Sequence, residues 1–186
     1  MRRALLRKTI VHGVLALPLV LCAAVALQTP ASATPIDDES RDLVRAYAST
    51  VAFRDVRVAQ LAGWPEDTTG CIEFPDGYLG LPPGGMGHHY TNPELLADGG
   101  DLDPRKPEAL VYETRPDGSL RLNAVEYIVP EQDLPRTAEP PELFGQKFTF
   151  HEGPQIWALH VWLYRDNPYG LYAHIHPDVT CEHAAR

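Results

Sequence analysis

Ala109-Leu110-Val111-Tyr112-Glu113-Thr114, the turn Pro116-Asp117-Gly118-Ser119 and the returning run from Leu120 to Val129 form the stretch that decides the fold. Two β-prone runs closing around Asp-Gly are the pattern of a β-hairpin with a short turned loop. Downstream, Gln155 to Tyr164 predicts a strong strand, Phe148-Thr149-Phe150 a short one, and Leu171 to His176 a weaker last one before Cys181. Upstream, Leu43, Val44, Tyr47, Val51, Val58 and Leu61 recur at helical spacing, which predicts an amphipathic helix from Ser40 to Leu61, broken near Arg54-Asp55. Asp37-Asp38-Glu39-Ser40 supplies capping and acidic groups at its start, and Gly63 with Pro65 ends it. The fold class expected is α+β. An N-terminal amphipathic helix packs on an antiparallel sheet of four to five strands, with long Gly/Pro-rich loops over 64–87 and 130–142.

Residues 1–33 read as an export signal. Arg2, Arg3, Arg7 and Lys8 form a basic end, Ile10 to Leu27 an apolar run, and Ala31-Ser32-Ala33 a small-residue cleavage site. Arg2-Arg3-Ala4-Leu5-Leu6-Arg7 also loosely matches a twin-arginine signal, the kind that exports folded proteins. The expected mature protein is a single secreted α+β domain over 34–186, free of the membrane once the signal is cleaved. Four of the 16 basic residues precede Ala33 and none of the 25 acidic ones do, leaving 12 against 25 and a net charge of −13. Nucleic-acid backbones need clustered Lys and Arg, and no basic stripe occurs, so nucleic acid is not an expected partner. With Cys22 removed, Cys71 and Cys181 are the remaining pair, and in an oxidising compartment they are expected to form a disulfide. The alternative, two thiolate metal ligands, fits their spacing poorly. Gly-x-Ser-x-Gly, phosphate-loop and dinucleotide fingerprints are all missing from the chain.

Strand side chains alternate between faces, which sorts the candidate site residues. In the run 155–164, Trp157, Leu159, Val161 and Leu163 form an apolar set suited to the helix. Ala158, His160, Trp162 and Tyr164 form an aromatic set with one imidazole, suited to a pocket wall. In the hairpin's return arm Leu120, Leu122, Ala124, Glu126 and Ile128 share a face. Glu126 is the only charge in that row and must pair, protonate or bind a cation. Salt bridges to Arg115, Arg121 or Arg165 would satisfy it. His174 and His176 are two residues apart, and His-x-His on a strand lets both imidazoles reach one ion. His88 and His89 leave the glycine-rich stretch Gly84-Gly85-Met86-Gly87. Alternation puts Met86, His88 and Tyr90 together, which favours His88 as the buried member. His151 and His183 stand beside polar residues and read as solvated.

The combination Gly85-Met86-Gly87-His88-His89-Tyr90, Asn92-Pro93, Leu102-Asp103-Pro104, Lys106-Pro107-Glu108, Leu110-Val111-Tyr112-Glu113, Val125-Glu126-Tyr127, Phe144-Gly145-Gln146, Leu159-His160-Val161-Trp162 and Asn167-Pro168 resembles a family of exported bacterial, actinobacterial-type proteins. The likeness runs from about Val51 to Cys181. The family has no assigned activity, so the resemblance implies no catalytic residues. It does imply His89, Glu126 and His160 as the preferred ligand set, with His88, His174 and His176 as secondary candidates.

A His/Glu group of this kind suits Zn, Fe, Mn or Cu. The leading expectation is a secreted protein that binds a metal ion or a small ligand. A metal-dependent extracellular enzyme is the alternative, with Glu126 as ligand or general base and Tyr90 or Tyr164 as hydrogen-bond donor. A structural or interaction domain with no small-molecule site is the third reading.

Overall fold

The computed structural model describes residues 37–184, and the expected export signal lies outside them. Asp37 caps α1 (Asp38–Thr50) by accepting from the Ser40 N–H at 2.7 Å, with Asp38 and Glu39 in the first turn complementing the helix dipole. A 3₁₀ turn (Val51–Arg54) and Asp55, which caps α2 (Val56–Leu61), break the helix where Arg54-Asp55 predicts.

The strands are β1 (Glu66–Asp67), β2 (Ile72–Phe74), β3 (Gly84–Thr91), β4 (Ala109–Thr114), β5 (Leu120–Pro130), β6 (Glu142–Leu143), β7 (Gln146–Lys147), β8 (Thr149–His151) and β9 (Ile156–Val161). Seven of them make one antiparallel sheet in the order β1-β3-β4-β5-β9-β8, with β2 also paired to β3, while β6 and β7 pair separately. The fold is therefore α+β as expected, but the sheet exceeds four to five strands. The difference lies in 64–87, which reads as irregular yet holds β1, β2 and the start of β3. The glycine-rich stretch is itself a strand.

Conversely, 171–176 forms no strand and only an isolated bridge from His176 to Gly85. A backbone lying flat on another leaves no room for side chains between them. A Cβ at Gly84 would stand 2.5 Å from the His176 carbonyl oxygen, and one at Gly85 2.6 Å from that of Val179. The disulfide Cys71–Cys181, with Cα atoms 5.7 Å apart, holds this segment against β2 and β3. Closing a loop over a sequence separation of 110 stabilises the fold by roughly 4–5 kcal/mol on the chain-entropy account.

One sheet face carries Leu110, Tyr112, Val125, Tyr127, Trp157, Leu159 and Val161, packed with Ala46, Ala59 and Trp64 from the helical side. The polar ends of its aromatics are satisfied. Tyr112 Oη donates to the Phe53 carbonyl at 2.6 Å, Tyr127 Oη to Pro104 at 2.6 Å and Trp64 Nε1 to Pro107 at 3.1 Å. The predicted face split of β9 holds as far as Val161. Beyond it the strand ends, so Tyr164 turns to the helix and bonds Thr50 Oγ1 at 2.6 Å rather than joining His160.

Two bulges decide what the opposite face carries. Val111 pairs Ala124 and Tyr112 pairs Leu122, so Asn123 is an extra residue in β5. Leu120 and Leu122 consequently pack on the helical core, correcting the expected common row, while Ala124, Glu126 and Ile128 face the other way. In β3, Ile72 pairs Gly87 and Glu73 pairs Gly85, leaving Met86 extra. Gly87 sits at φ 97°, and a Cβ there would stand 2.2 Å from the Tyr112 carbonyl oxygen. The irregularity sets Met86 and His89 on one side, with His88 and Tyr90 on the other. Gly87→Ala is expected to lower stability by about 2–3 kcal/mol. Urea denaturation with an unchanged midpoint would show that the backbone at 87 is not constrained as described.

Candidate metal centre

Three strands deliver one ligand-type side chain each to the face opposite the helices: His89 from β3, Glu126 from β5 and His160 from β9. Glu126 and His160 are direct cross-strand partners, and His89 pairs Val111 on the intervening β4. All three are buried, at 4%, 5% and 1% exposure. Glu126 Oε2 lies 3.5 Å from His89 Nε2, Glu126 Oε1 lies 3.4 Å from His160 Nδ1, and the two histidine Nε2 atoms are 3.4 Å apart. One ligand atom from each falls within 4.8 Å of the others, and among the described residues no other set of His, Cys, Asp or Glu does this. The group could hold a metal ion.

These separations are informative. A good N–H···O bond spans 2.7–3.2 Å, so at 3.4 to 3.5 Å the three side chains hydrogen-bond one another poorly despite their burial. Among the described residues His160 Nδ1 has no hydrogen-bond partner. His89 is oriented from behind. Thr69 Oγ1 has a single proton, and its closest acceptor is the Gly70 carbonyl at 2.8 Å. Its lone pairs are then free to accept from the His89 backbone N–H at 3.3 Å and from Nδ1–H at 3.2 Å. That arrangement fixes the tautomer and turns the Nε2 lone pair toward Glu126 and His160.

Burial dominates the electrostatics. It pushes His89 down to about 4, with His88 and His151 adding to the effect and Asp67 opposing it. His160 is held well below its ordinary value, by burial first and by the neighbouring imidazoles second. Burial raises Glu126 to about 8, helped by the charge of Glu108. At neutral pH the metal-free cluster is two neutral imidazoles and one protonated carboxyl. None of the expected arginines relieves this: Arg121 and Arg165 both pair with Glu113, and Arg115 is exposed, away from the buried Glu126.

A cavity of about 390 Å³ is lined by His89 and Glu126 but not by His160, which is 1% exposed. Its walls are largely apolar. Tyr78 and His151 are polar exceptions, bonded to each other at 2.7 Å between Tyr78 Oη and His151 Nδ1. Tyr78 stays a phenol, raised by burial and by Glu126, and its hydroxyl can donate to or accept from Nδ1 according to the His151 tautomer. His151 Nε2 is buried and has no partner among the described residues.

The secondary candidates do not join the cluster. His88 faces away and bonds Asp67 Oδ2 at 2.7 Å and Thr114 Oγ1 at 3.1 Å. The expectation that His88 is the buried member fails because the bulge at Met86-Gly87 resets alternation. His176 is a structural residue: Nε2 meets the Asp166 carbonyl at 3.0 Å, and Nδ1 accepts from the Asp178 N–H at 3.0 Å. Without a strand at 171–176 the pair His174 and His176 does not share a face. His174 instead packs edge-on against His151 with ring centroids 5.4 Å apart. His151, read as solvated, is buried and lines the cavity. Its signal was available in the alternation of Thr149 and His151 around Phe150, had the short strand been carried one residue further. Tyr90 packs against Tyr112 on the helical side, so neither expected tyrosine donor reaches the site.

No protein-family model matches the chain, and neither does any curated protein or solved structure.

The raised Glu126 has a measurable consequence. Below about pH 4.5 both folded and unfolded chains hold its proton; between 4.5 and about 8 only the folded chain does. The metal-free protein therefore loses stability as pH rises through that window. His89 and His151 act oppositely, since both are depressed to about 4 and their contribution is complete above 6.5. From about pH 6.5 to about pH 8 the carboxyl effect stands clear of the histidines. Over that interval, metal-free Glu126→Gln is expected to lose less stability than the wild type in urea denaturation. Equal pH slopes would mean that Glu126 is already ionised in the fold.

Proposed function

We propose that this is a metal-binding protein in which His89, Glu126 and His160 hold one divalent transition ion at the floor of an apolar cavity. The observation that carries the reading is three buried ligand-type side chains, each offering one atom within 4.8 Å of the others, that hydrogen-bond one another poorly. Bonds of 2.0–2.1 Å in tetrahedral geometry put ligand atoms about 3.3 Å apart, whereas adjacent octahedral positions would be about 2.9 Å apart. The two separations about His89 Nε2, 3.4 Å to His160 Nε2 and 3.5 Å to Glu126 Oε2, lie near the tetrahedral value, and two imidazoles with one carboxylate suit zinc. Neutral imidazoles need lose no proton to bind; Glu126 must lose one. The basic and apolar opening of the chain and its disulfide support a protein that works outside the cytoplasm. Among the described residues no helix is long and apolar enough to cross a membrane.

A second reading, a metal-dependent enzyme, is favoured by one feature. Three protein ligands leave a fourth position, and His89 and Glu126 both border the cavity. Zinc with three such ligands can lower the pKa of a bound water to about 7.

Metal analysis of the purified protein, followed by calorimetric zinc titration of the metal-free form, tests the proposal. One ion per chain is expected, with about one proton released per ion near neutral pH, read from buffers of different ionisation enthalpy. His89→Ala, Glu126→Gln and His160→Ala should each weaken binding at least about 100-fold. Unchanged zinc affinity in all three variants would end the reading.

A further inference from the structure

Charge and wall chemistry together narrow what the cavity admits. Resting on the metal reading above, we propose that it takes a small apolar monoanion, a medium-chain or aromatic carboxylate. The head sits on the bound ion, and the body lies against the strand wall.

The wall supplies Ile72, Phe74, Met86, Leu96, Ile128 and Ile156. A volume of about 390 Å³ lies within the range of small-molecule sites. Most polar wall groups are already engaged inside the protein. Thr69 serves Gly70 and His89, Thr91 Oγ1 donates to Thr68 Oγ1 at 3.3 Å, and Tyr78 serves His151. Only His151 Nε2 remains, a neutral group without a partner among the described residues. A sugar or a peptide would bury many hydroxyl or amide groups there with nothing to bond them, and each such group loses its hydration without compensation.

The charge count is equally restrictive. A divalent ion held by two neutral imidazoles and one carboxylate leaves the centre at net +1. Among the described residues lining the cavity there is no lysine, arginine or aspartate, and Glu126 is the sole glutamate. One negative charge on the ligand neutralises the site. A dianion such as a phosphate monoester, or an organic cation, would bury an uncompensated charge in apolar surroundings. An apolar body with one anionic oxygen head satisfies both limits.

Calorimetry with octanoate, 3-phenylpropionate, acetate and octylamine on the zinc-loaded full chain tests this, with the metal-free form as reference. Octanoate or 3-phenylpropionate is expected to bind zinc-loaded protein at least about tenfold tighter than acetate, because only they bury apolar surface. Removing zinc should weaken that binding at least about tenfold, and octylamine should not bind. Whether the chain or the ring wins identifies the body. Phe74→Glu and Leu96→Glu, on different walls, should each lose the carboxylate by about tenfold or more while still taking up one zinc. Two variants are used so that a folding failure in one leaves the other decisive, and melting curves identify such a failure. Zinc uptake with octanoate and 3-phenylpropionate no tighter than acetate would overturn the ligand class and leave the metal reading standing. Carboxylate binding that is equal with and without zinc would overturn the head-group assignment. Failure to take up zinc would fell the metal reading, and this proposal with it.

Discussion

A carboxyl group buried between two imidazoles, on a sheet face with no arginine or lysine pairing it among the described residues, is the constraint from which the rest of the molecule follows. Burying a charge without a partner costs several kcal/mol, and proteins avoid it by neutralising the group or pairing it. Here neutralisation is what the metal-free fold achieves, with Glu126 raised and both histidines depressed. That solution is itself a penalty on ionised Glu126, and a divalent ion would remove it.

The surrounding architecture serves that arrangement. The helices seal one face of the sheet, so the central strands are buried on both sides and their faces can differ in chemistry. Direct pairing of β5 with β9 sets Glu126 beside His160. His89 must arrive from two strands away, and the bulge at Met86-Gly87 brings it to the correct face. Gly84 and Gly85 let the C-terminal segment lie against β3, and the disulfide keeps it there. Packing, covalent linkage and the site are thus parts of one arrangement around β3.

Much of this was legible in the sequence, and the misses share a cause. The hairpin, the helix with its break at Asp55, the disulfide and the split faces of β9 all follow from local rules that hold over a few residues. Glu126 stood out because it is the only charge in an apolar row. What failed was any inference that carried alternation through an irregularity. Asn123 and Met86 each add one residue to a strand. Met86 came to lie beside His89 rather than His88, so the alternation that favoured His88 failed, while His89, preferred on the resemblance, joins Glu126 and His160. Asn123 moved Leu122 to the face opposite that expected. Strand termination at Val161 did the same to Tyr164. The pairing of β1 and β2 with β3 is long-range, and nothing in 64–87 announces it locally. His151 was misjudged from its polar neighbours, although its side chain points away from them into the cavity.

The account stands on an ion at the meeting point of three side chains, and anomalous diffraction from crystals of zinc-replete protein tests it most directly. It predicts one strong peak at the zinc edge, bonded at about 2.0–2.2 Å to an imidazole nitrogen of His89, an imidazole nitrogen of His160 and a carboxylate oxygen of Glu126. Zinc-replete crystals with no peak between these residues, or with His160 and Glu126 bonded only to each other, would contradict it.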